Sequence, residues 1–537
     1  MLTRRIRLSS VVLFAPPLAG EGRGPVRALI GAGLVALGLL PGLAQAADLP
    51  PFDQPEARVQ AILPDFEAYL TKGMKAFDVP GVAVAIATGE RTIYAKGFGV
   101  RGKDDGRPVD SSTVFQIGSA TKAILGTTMA MMVDRGKLKW DARVVDLDPD
   151  FQLSDPWVTR EFRVYDLIAQ RSGLPPYAND MLSALGYGPD ALKRSLRTVE
   201  PVSSFRSQFA YTNITHLFAG DIVAKAAGDK SWNDTAKREI VDSLDMPSTS
   251  FTAAAIEAAP DHATGHAWRP EGSKPIPFDP AFPYVLGPAG NVNSSAADMA
   301  KWVRLQLGDG FFERKPVVSA QNLAYQRTPK VAINETMSYA LGWVVTAMPG
   351  GRVLWHNGGT NGFGAHVGLL PERGVGIVIL TNEQNQGFPD AVATWFYQRY
   401  LGEDPTDWVD RALTTARVRA SEDEQNLVAP SAPAPLPAAS DVAGHYTNPA
   451  LGTLELAADG DGLAMRLEET GAVLTLKPWS GAVYTFALKP EGRFAVTAAQ
   501  GDTGPAGFAQ FVMDKTGRLS DLEWKMAGQS FTFTRVD

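Results

Sequence analysis

The sequence predicts a mixed α/β domain of the α+β type, with an antiparallel sheet and a helical subdomain, followed by a small all-β barrel. Three observations carry this. Strand-like segments lie on both sides of a helical middle, so one sheet must be assembled from distant parts of the chain. An acidic and then Ala/Pro-rich stretch, 421–441, has too little apolar content to pack alone and reads as a linker. Beyond it the hydrophobic period is two throughout. At 537 residues the chain also exceeds what one core usually supports. The expected boundaries are an export segment at 1–46, a first domain at 50–410, a linker at 411–437 and the barrel at 438–537.

The export segment begins with Arg4, Arg5, Arg7, Arg23 and Arg27. The apolar run Ala28–Leu43 follows and ends in Ala44-Gln45-Ala46, a small-x-small cleavage pattern. That run is short for a membrane span and is followed by Asp48 and prolines. A signal peptide that leaves a periplasmic or secreted protein without a membrane span is therefore expected. Arg4-Arg5 leaves both the general and the twin-arginine export routes open. Residues 1–46 hold five Arg and one Glu, so the net charge of −7 becomes −11 without them, and nothing points to a nucleic-acid partner. With no cysteine, the chain has no disulfide, thiolate metal site or cysteine nucleophile.

Residues 55–77 space Val59, Ile62, Leu63, Phe66 and Leu70 as an amphipathic helix does. Then the period changes to that of a β-hairpin, Gly81–Ala87 and Thr92–Gly99, broken at Thr88-Gly89. The stretch Phe115–Asp134 reads as a buried helix, and 135–300 as a helical subdomain with Pro- and Gly-rich loops. Strand patterns return at 341–346, 352–356, 363–370 and 375–380, before a helix at about 388–401. In the last domain eight short strands are expected near Thr453, Ala464, Val473, Val483, Phe494, Phe508, Leu522 and Phe531.

The chemistry centres on Ser119, which opens the buried helix with Lys122 three residues on. Residues three apart share a helix face, so amine and hydroxyl can meet beside the positive end of the helix dipole. Burial and that dipole both disfavour an ammonium, and a neutral lysine can take the serine proton. Ser-x-x-Lys is only a two-letter pattern, and its partners decide its meaning. Tyr211-Thr212-Asn213 lies ahead of an apolar helix. A phenolate favoured by the nearby lysine would shuttle the proton, and the Asn213 amide would meet a substrate carbonyl. His356-Asn357-Gly358-Gly359 ends a strand, where glycine lets substrate backbone come close and free N–H groups can face an oxyanion.

These motifs, Ser119-x-x-Lys122, Tyr211-x-Asn213 and His356-x-Gly358, separated by 92 and 145 residues, resemble those of the serine β-lactamase and penicillin-binding-protein superfamily. Within it the chain is similar to the class C β-lactamase-related branch, which also holds esterases and D-amino-acid peptidases. The similarity runs from about 60 to 400 and includes LIAQRSGLPPY (167–177) and GPAGNVNSSAADMAKWVRLQLGDG (287–310). The resemblance implies that Ser119 is acylated, that Lys122 and Tyr211 move its proton, and that Asn213 holds the substrate amide. It also implies an oxyanion hole at the N–H groups of Ser119 and Gly359, and a C-terminal barrel like the lipocalin-like appendage of some peptidase members.

Two departures from the family pattern stand out. His356 replaces the lysine usual in β-lactamases of this branch. With an ordinary pKa of about 6.5 it is mostly neutral at pH 7, which favours esters, small amides or D-amino-acid-containing peptides over β-lactams. Any preference for carboxylates would grow as pH falls through that pKa. Gln170 replaces a usual histidine, for no reason visible in the sequence. No metal or organic cofactor is implied: His262 and His266 have helical spacing, but Gly265 argues against a helix there. The alternatives are a working β-lactamase or penicillin-binding protein, and a non-catalytic peptidoglycan- or ligand-binding protein.

Overall fold

The computed structural model describes residues 49–460, 462–500 and 505–536. The export segment lies outside the described residues. Helix α1 (Pro55–Phe77) starts with a proline at its first position and ends at Asp78 in the left-handed conformation. Strands β1 (Gly81–Ala87) and β2 (Thr92–Gly99) form the expected hairpin. The buried helix α2 (Thr121–Asp134) follows a single 3₁₀ turn, Gly118–Ala120, that carries Ser119. Among the longer helices after it are α3 (Ile214–Ala227) and α4 (Ala296–Leu307). Six strands then complete one sheet: β3 (Val331–Ala332), β4 (Met337–Tyr339), β5 (Val344–Met348), β6 (Gly351–Gly359), β7 (Gly364–Leu370) and β8 (Val375–Thr381). Its order is β2-β1-β8-β7-β6-β5-β4-β3, and every pairing is antiparallel.

Strands β1, β7 and β8 are buried along their whole length because both faces of the sheet are covered. On one face Val82, Val84, Ile86, Ile377 and Ile379 pack against α1 and helix α5 (Phe388–Leu401). On the other, Ala83, Ala85, Val378 and Leu380 share a core with α2 and α4. A strand's side chains alternate between faces, so one strand serves both layers. Helix α2 is buried on every side from Thr121 to Met132, as its apolar sequence requires.

Two expectations are corrected. The span 411–437 is not linker throughout, because Trp408–Asn426 forms helix α6, capped by the Asp407 carboxylate. Val409 and Ala416 are buried against α1 and α5, and the Val409 N–H donates to the Tyr69 hydroxyl. The polar composition of α6 reflects an exposed outer face, and its thin apolar stripe was too weak a signal. The second correction concerns the barrel, whose strands are β9 (Gly444–Asn448), β10 (Gly452–Asp459), β11 (Gly462–Leu467), β12 (Val473–Ser480), β13 (Val483–Leu488), β14 (Gly507–Met513), β15 (Leu519–Met526) and β16 (Gln529–Arg535). They close on themselves in chain order. Phe494 lies in a helical turn between β13 and β14, and the first strand is the short β9.

The barrel is built around Trp524, which meets Phe486 edge-on and stacks on Phe533. It docks on the first domain at several places, among them the Tyr187 hydroxyl, which donates to the Leu451 carbonyl at 2.6 Å. The Gln529 side chain donates to the Tyr177 carbonyl at 2.6 Å and accepts from the Asn179 N–H at 3.0 Å. Thr497 and Gln500 reach Asp279 and the Pro277 carbonyl.

Phe66 is fully buried where α1 meets α5, with Trp395 and Phe396 at 6.3 and 5.8 Å. Phe66→Ala is expected to destabilise the first domain by about 3–5 kcal/mol. Chemical denaturation followed by tryptophan fluorescence checks this, and an unchanged midpoint contradicts the packing described.

Candidate active site

Three segments meet at the start of α2. The first is the 3₁₀ turn itself, preceded by Phe115–Gln116, which pair with Asn293–Ser294. The second is the end of β6, pressed against that turn. A Cβ at Gly358 would lie 1.9 Å from the Ile117 carbonyl oxygen, and one at Gly118, where φ is +50°, would lie 2.7 Å from Gly359 N. Only glycine allows this approach, which brings the Gly359 backbone beside the residue preceding Ser119. The third is the segment 209–213 leading into α3.

The Lys122 Nζ is completely buried, yet it sits among three oxygens: Ser119 Oγ at 3.0 Å, Asn213 Oδ1 at 2.6 Å and the Ala289 carbonyl at 2.7 Å. An ammonium could donate to all three. A neutral amine can donate to Asn213 and Ala289 and accept from the Ser119 hydroxyl. Burial pushes this lysine down to about 7, with the Asp180 carboxyl opposing the shift. Near neutrality the amine is thus poised to take the Ser119 proton, while Ser119 itself remains partly exposed to a ligand.

Tyr211 lies beside Ser119, whose hydroxyl partly offsets the rise in its pKa, and Lys122 Nζ lies 4.7 Å from its ring centroid. Its chemistry differs from the expectation. Burial, reinforced by the neighbouring Tyr339, holds the phenol well above its ordinary value, so the resting group is a neutral phenol rather than a phenolate. A neutral phenol can still pass a proton on by accepting one as it gives another.

Asn213 is held in the same network. Its Oδ1 accepts from Lys122, and its Nδ2 donates to Asp180 Oδ2 at 2.7 Å. Each end of the amide thus has one partner within the protein and orients Lys122, while Nδ2 keeps a second N–H that a ligand carbonyl can take.

His356 points into the site, while Asn357, on the opposite face of β6, donates to Asp390 at 2.9 Å. The imidazole Nε2 lies 3.0 Å from the Tyr339 hydroxyl, and Nδ1 lies 2.6 Å from the Asn357 carbonyl. Burial and the nearby Lys122 push His356 down to about 3. It does not become an imidazolium at moderately acidic pH, which removes the expected growth of carboxylate preference. With Tyr177, Tyr211, Tyr339 and Phe209 it forms an aromatic wall around the serine.

Two residues in this network were not assigned from the sequence. Gln170, in the left-handed conformation at φ +57°, braces the Tyr-x-Asn segment from below. Its Oε1 accepts from the Thr212 N–H at 2.7 Å, and its Nε2 donates to the Thr212 carbonyl at 3.1 Å. Asp180 is the other, brought to Asn213 from 33 residues away by the loop that follows Tyr177. His262 and His266 direct their Nδ1 atoms at separate carbonyls, those of Ala259 and Asn382.

Taken with the fold, this is the framework of a serine hydrolase of β-lactamase type. Residues 66–402 match the family model described as Beta-lactamase, and the chain belongs to that family of serine hydrolases. Residues 429–536 match a domain of unknown function, DUF3471. The unguisins hydrolase ungD of Aspergillus violaceofuscus is 27% identical, over 82% of this chain and 86% of that protein. Penicillin-binding protein 4 of Amycolatopsis lactamdurans is also 27% identical, over 60% of this chain and 86% of that one. The octameric penicillin-binding protein homologue from Pyrococcus abyssi has the same fold, with a TM-score of 0.57 at 20% identity, over 88% of this chain and all of that one.

Two outcomes are expected. Because Lys122 must be neutral to act as a base, turnover should rise with pH through about 7 and level off above it. A rate that is flat from pH 5 to 9 contradicts this. Gln170→Ala removes three bonds to Thr212 and should lower kcat about 10- to 100-fold, with KM changing much less. Steady-state kinetics beside a thermal melt separates that loss from unfolding.

Proposed function

We propose that the protein is an exported hydrolase that forms an acyl-enzyme on Ser119 and acts on esters, small amides or D-amino-acid-containing peptides. One observation supports this choice most. The residue at the β-lactamase lysine position is a buried His356 that stays neutral, so no fixed cation stands there for the carboxylate of a β-lactam. The aromatic wall favours an uncharged acyl or leaving group beside the serine.

In this reading the Ser119 Oγ–H proton passes to Lys122 Nζ as Oγ bonds to the substrate carbonyl carbon. The backbone N–H groups of Ser119 and Gly359 receive the developing oxyanion. Collapse breaks the bond to the leaving alkoxide or amine, which gains a proton from Tyr211, and Tyr211 regains one from Lys122. Water then attacks the ester under the same base. It releases the acid and restores Ser119.

The alternative, a working β-lactamase or penicillin-binding protein, has in its favour the similarity to Penicillin-binding protein 4. Measuring kcat/KM for a p-nitrophenyl ester panel and for nitrocefin decides between them. The ester should be the better substrate for wild type. His356→Lys should move the ratio toward nitrocefin by about 10-fold or more, since a hydrogen bond to a charged group contributes roughly 1.5–3 kcal/mol. If wild type turns over nitrocefin faster than every ester, the proposed substrate class is wrong.

A further inference from the structure

We propose that Asp180 is a positioning residue of the acyl-transfer site: through Asn213 it orients Lys122, and its carboxylate sets the pH at which Lys122 becomes a base. The proposal rests on the acyl-transfer reading above.

The geometry is a line of four side chains that runs inward from the partly exposed Ser119. Ser119 Oγ is 3.0 Å from Lys122 Nζ, which is 2.6 Å from Asn213 Oδ1, and Asn213 Nδ2 is 2.7 Å from Asp180 Oδ2. Lys122, Asn213 and Asp180 are each at least 97% buried. A buried carboxyl is costly unless it serves as a partner. Here one oxygen takes the Asn213 amide, and the other has no hydrogen-bond partner among the described residues. No arginine or lysine is paired with Asp180 by a salt bridge among the described residues, and Lys122 is the cation that acts on it.

The amide between the two groups matters for direction. An asparagine that gives its N–H to a carboxylate must turn its oxygen the other way, and that oxygen is what holds the amine. Without Asp180 the amide could flip and present N–H groups to Lys122, which would repel the ammonium and spoil the aim of the neutral amine. Asp180 therefore fixes which end of Asn213 faces the base.

The charge acts in the same line. The titratable groups around it are Tyr211 and His216 from the segment that forms α3, His356 on β6, Tyr339 on β4, and Tyr177 from the loop before Asp180. Burial holds both imidazoles below their ordinary value and the phenols of Tyr211 and Tyr339 above theirs. That leaves Lys122 and Asp180 to share a proton near neutrality, with burial pushing the carboxyl up to about 7 and the lysine cation opposing it. An ionised Asp180 stabilises the ammonium, so it raises the pH at which Lys122 loses its proton.

The test is the rate at which a fluorophosphonate labels the full chain as a function of pH. Asp180→Asn keeps an oxygen acceptor for the Asn213 amide and removes the charge. Its acidic limb should move down by about one pH unit or more, the scale of one lost opposite charge at short range, while the plateau stays within about tenfold of wild type. Asp180→Ala removes the acceptor as well, and its plateau should fall further. An Asp180→Asn limb that coincides with wild type overturns the proposal and leaves acyl transfer standing. No labelling of wild type instead overturns the acyl-transfer reading. If Asp180→Asn does not fold, Lys122→Met reads the coupling from the other side. In protein carrying ¹³C-aspartate, the infrared band of the protonated carboxyl should persist to higher pH than in wild type, and an unmoved band contradicts the proposal.

Discussion

The site depends on holding one lysine amine out of water while keeping every one of its hydrogen-bonding positions occupied. Lys122 achieves this because α2 runs through the core with no exposed face for most of its length. Burial alone would cost too much for an ammonium, and three oxygens compensate, one from Ser119 a turn away and two from distant parts of the chain. The same burial that makes the residue expensive makes it useful, since a lysine held near 7 is a base at the pH where its solvated counterpart is not.

Those oxygens arrive only because other segments are pinned. The Ala289 carbonyl lies just before Asn293–Ser294, which pair with the strand leading into the serine turn. Asn213 is held by Asp180 on one side, and its neighbour Thr212 by Gln170 on the other. The loop carrying Asp180 is in turn tied to the barrel, where Gln529 bonds to both Tyr177 and Asn179. The second domain therefore braces a loop of the site as well as closing its own core.

Much of this was legible in sequence because it is local. Helix α1, the first hairpin, strands β5 to β8 and α5 announce themselves by period, whereas β3 and β4 are too short to show one, and Ser119-x-x-Lys122 places two groups on one face of a helix without tertiary information. What stayed hidden is long-range or depends on burial. Gln170 and Asp180 act across 42 and 33 residues, and neither carries a local pattern. The protonation of Tyr211 and His356 could not be read from residue type, because both shifts come first from burial in the assembled site, with Tyr339 adding to one and Lys122 to the other. Helix α6 was missed since only two of its residues, Val409 and Ala416, are buried.

The central claim is that Ser119, activated by the buried Lys122, is the group that becomes acylated. Peptide mass spectrometry after fluorophosphonate treatment tests it most directly. The account predicts a single adduct on the peptide containing Ser119 and none in the folded Ser119→Ala variant. An adduct on another residue, or undiminished labelling of Ser119→Ala, would contradict it.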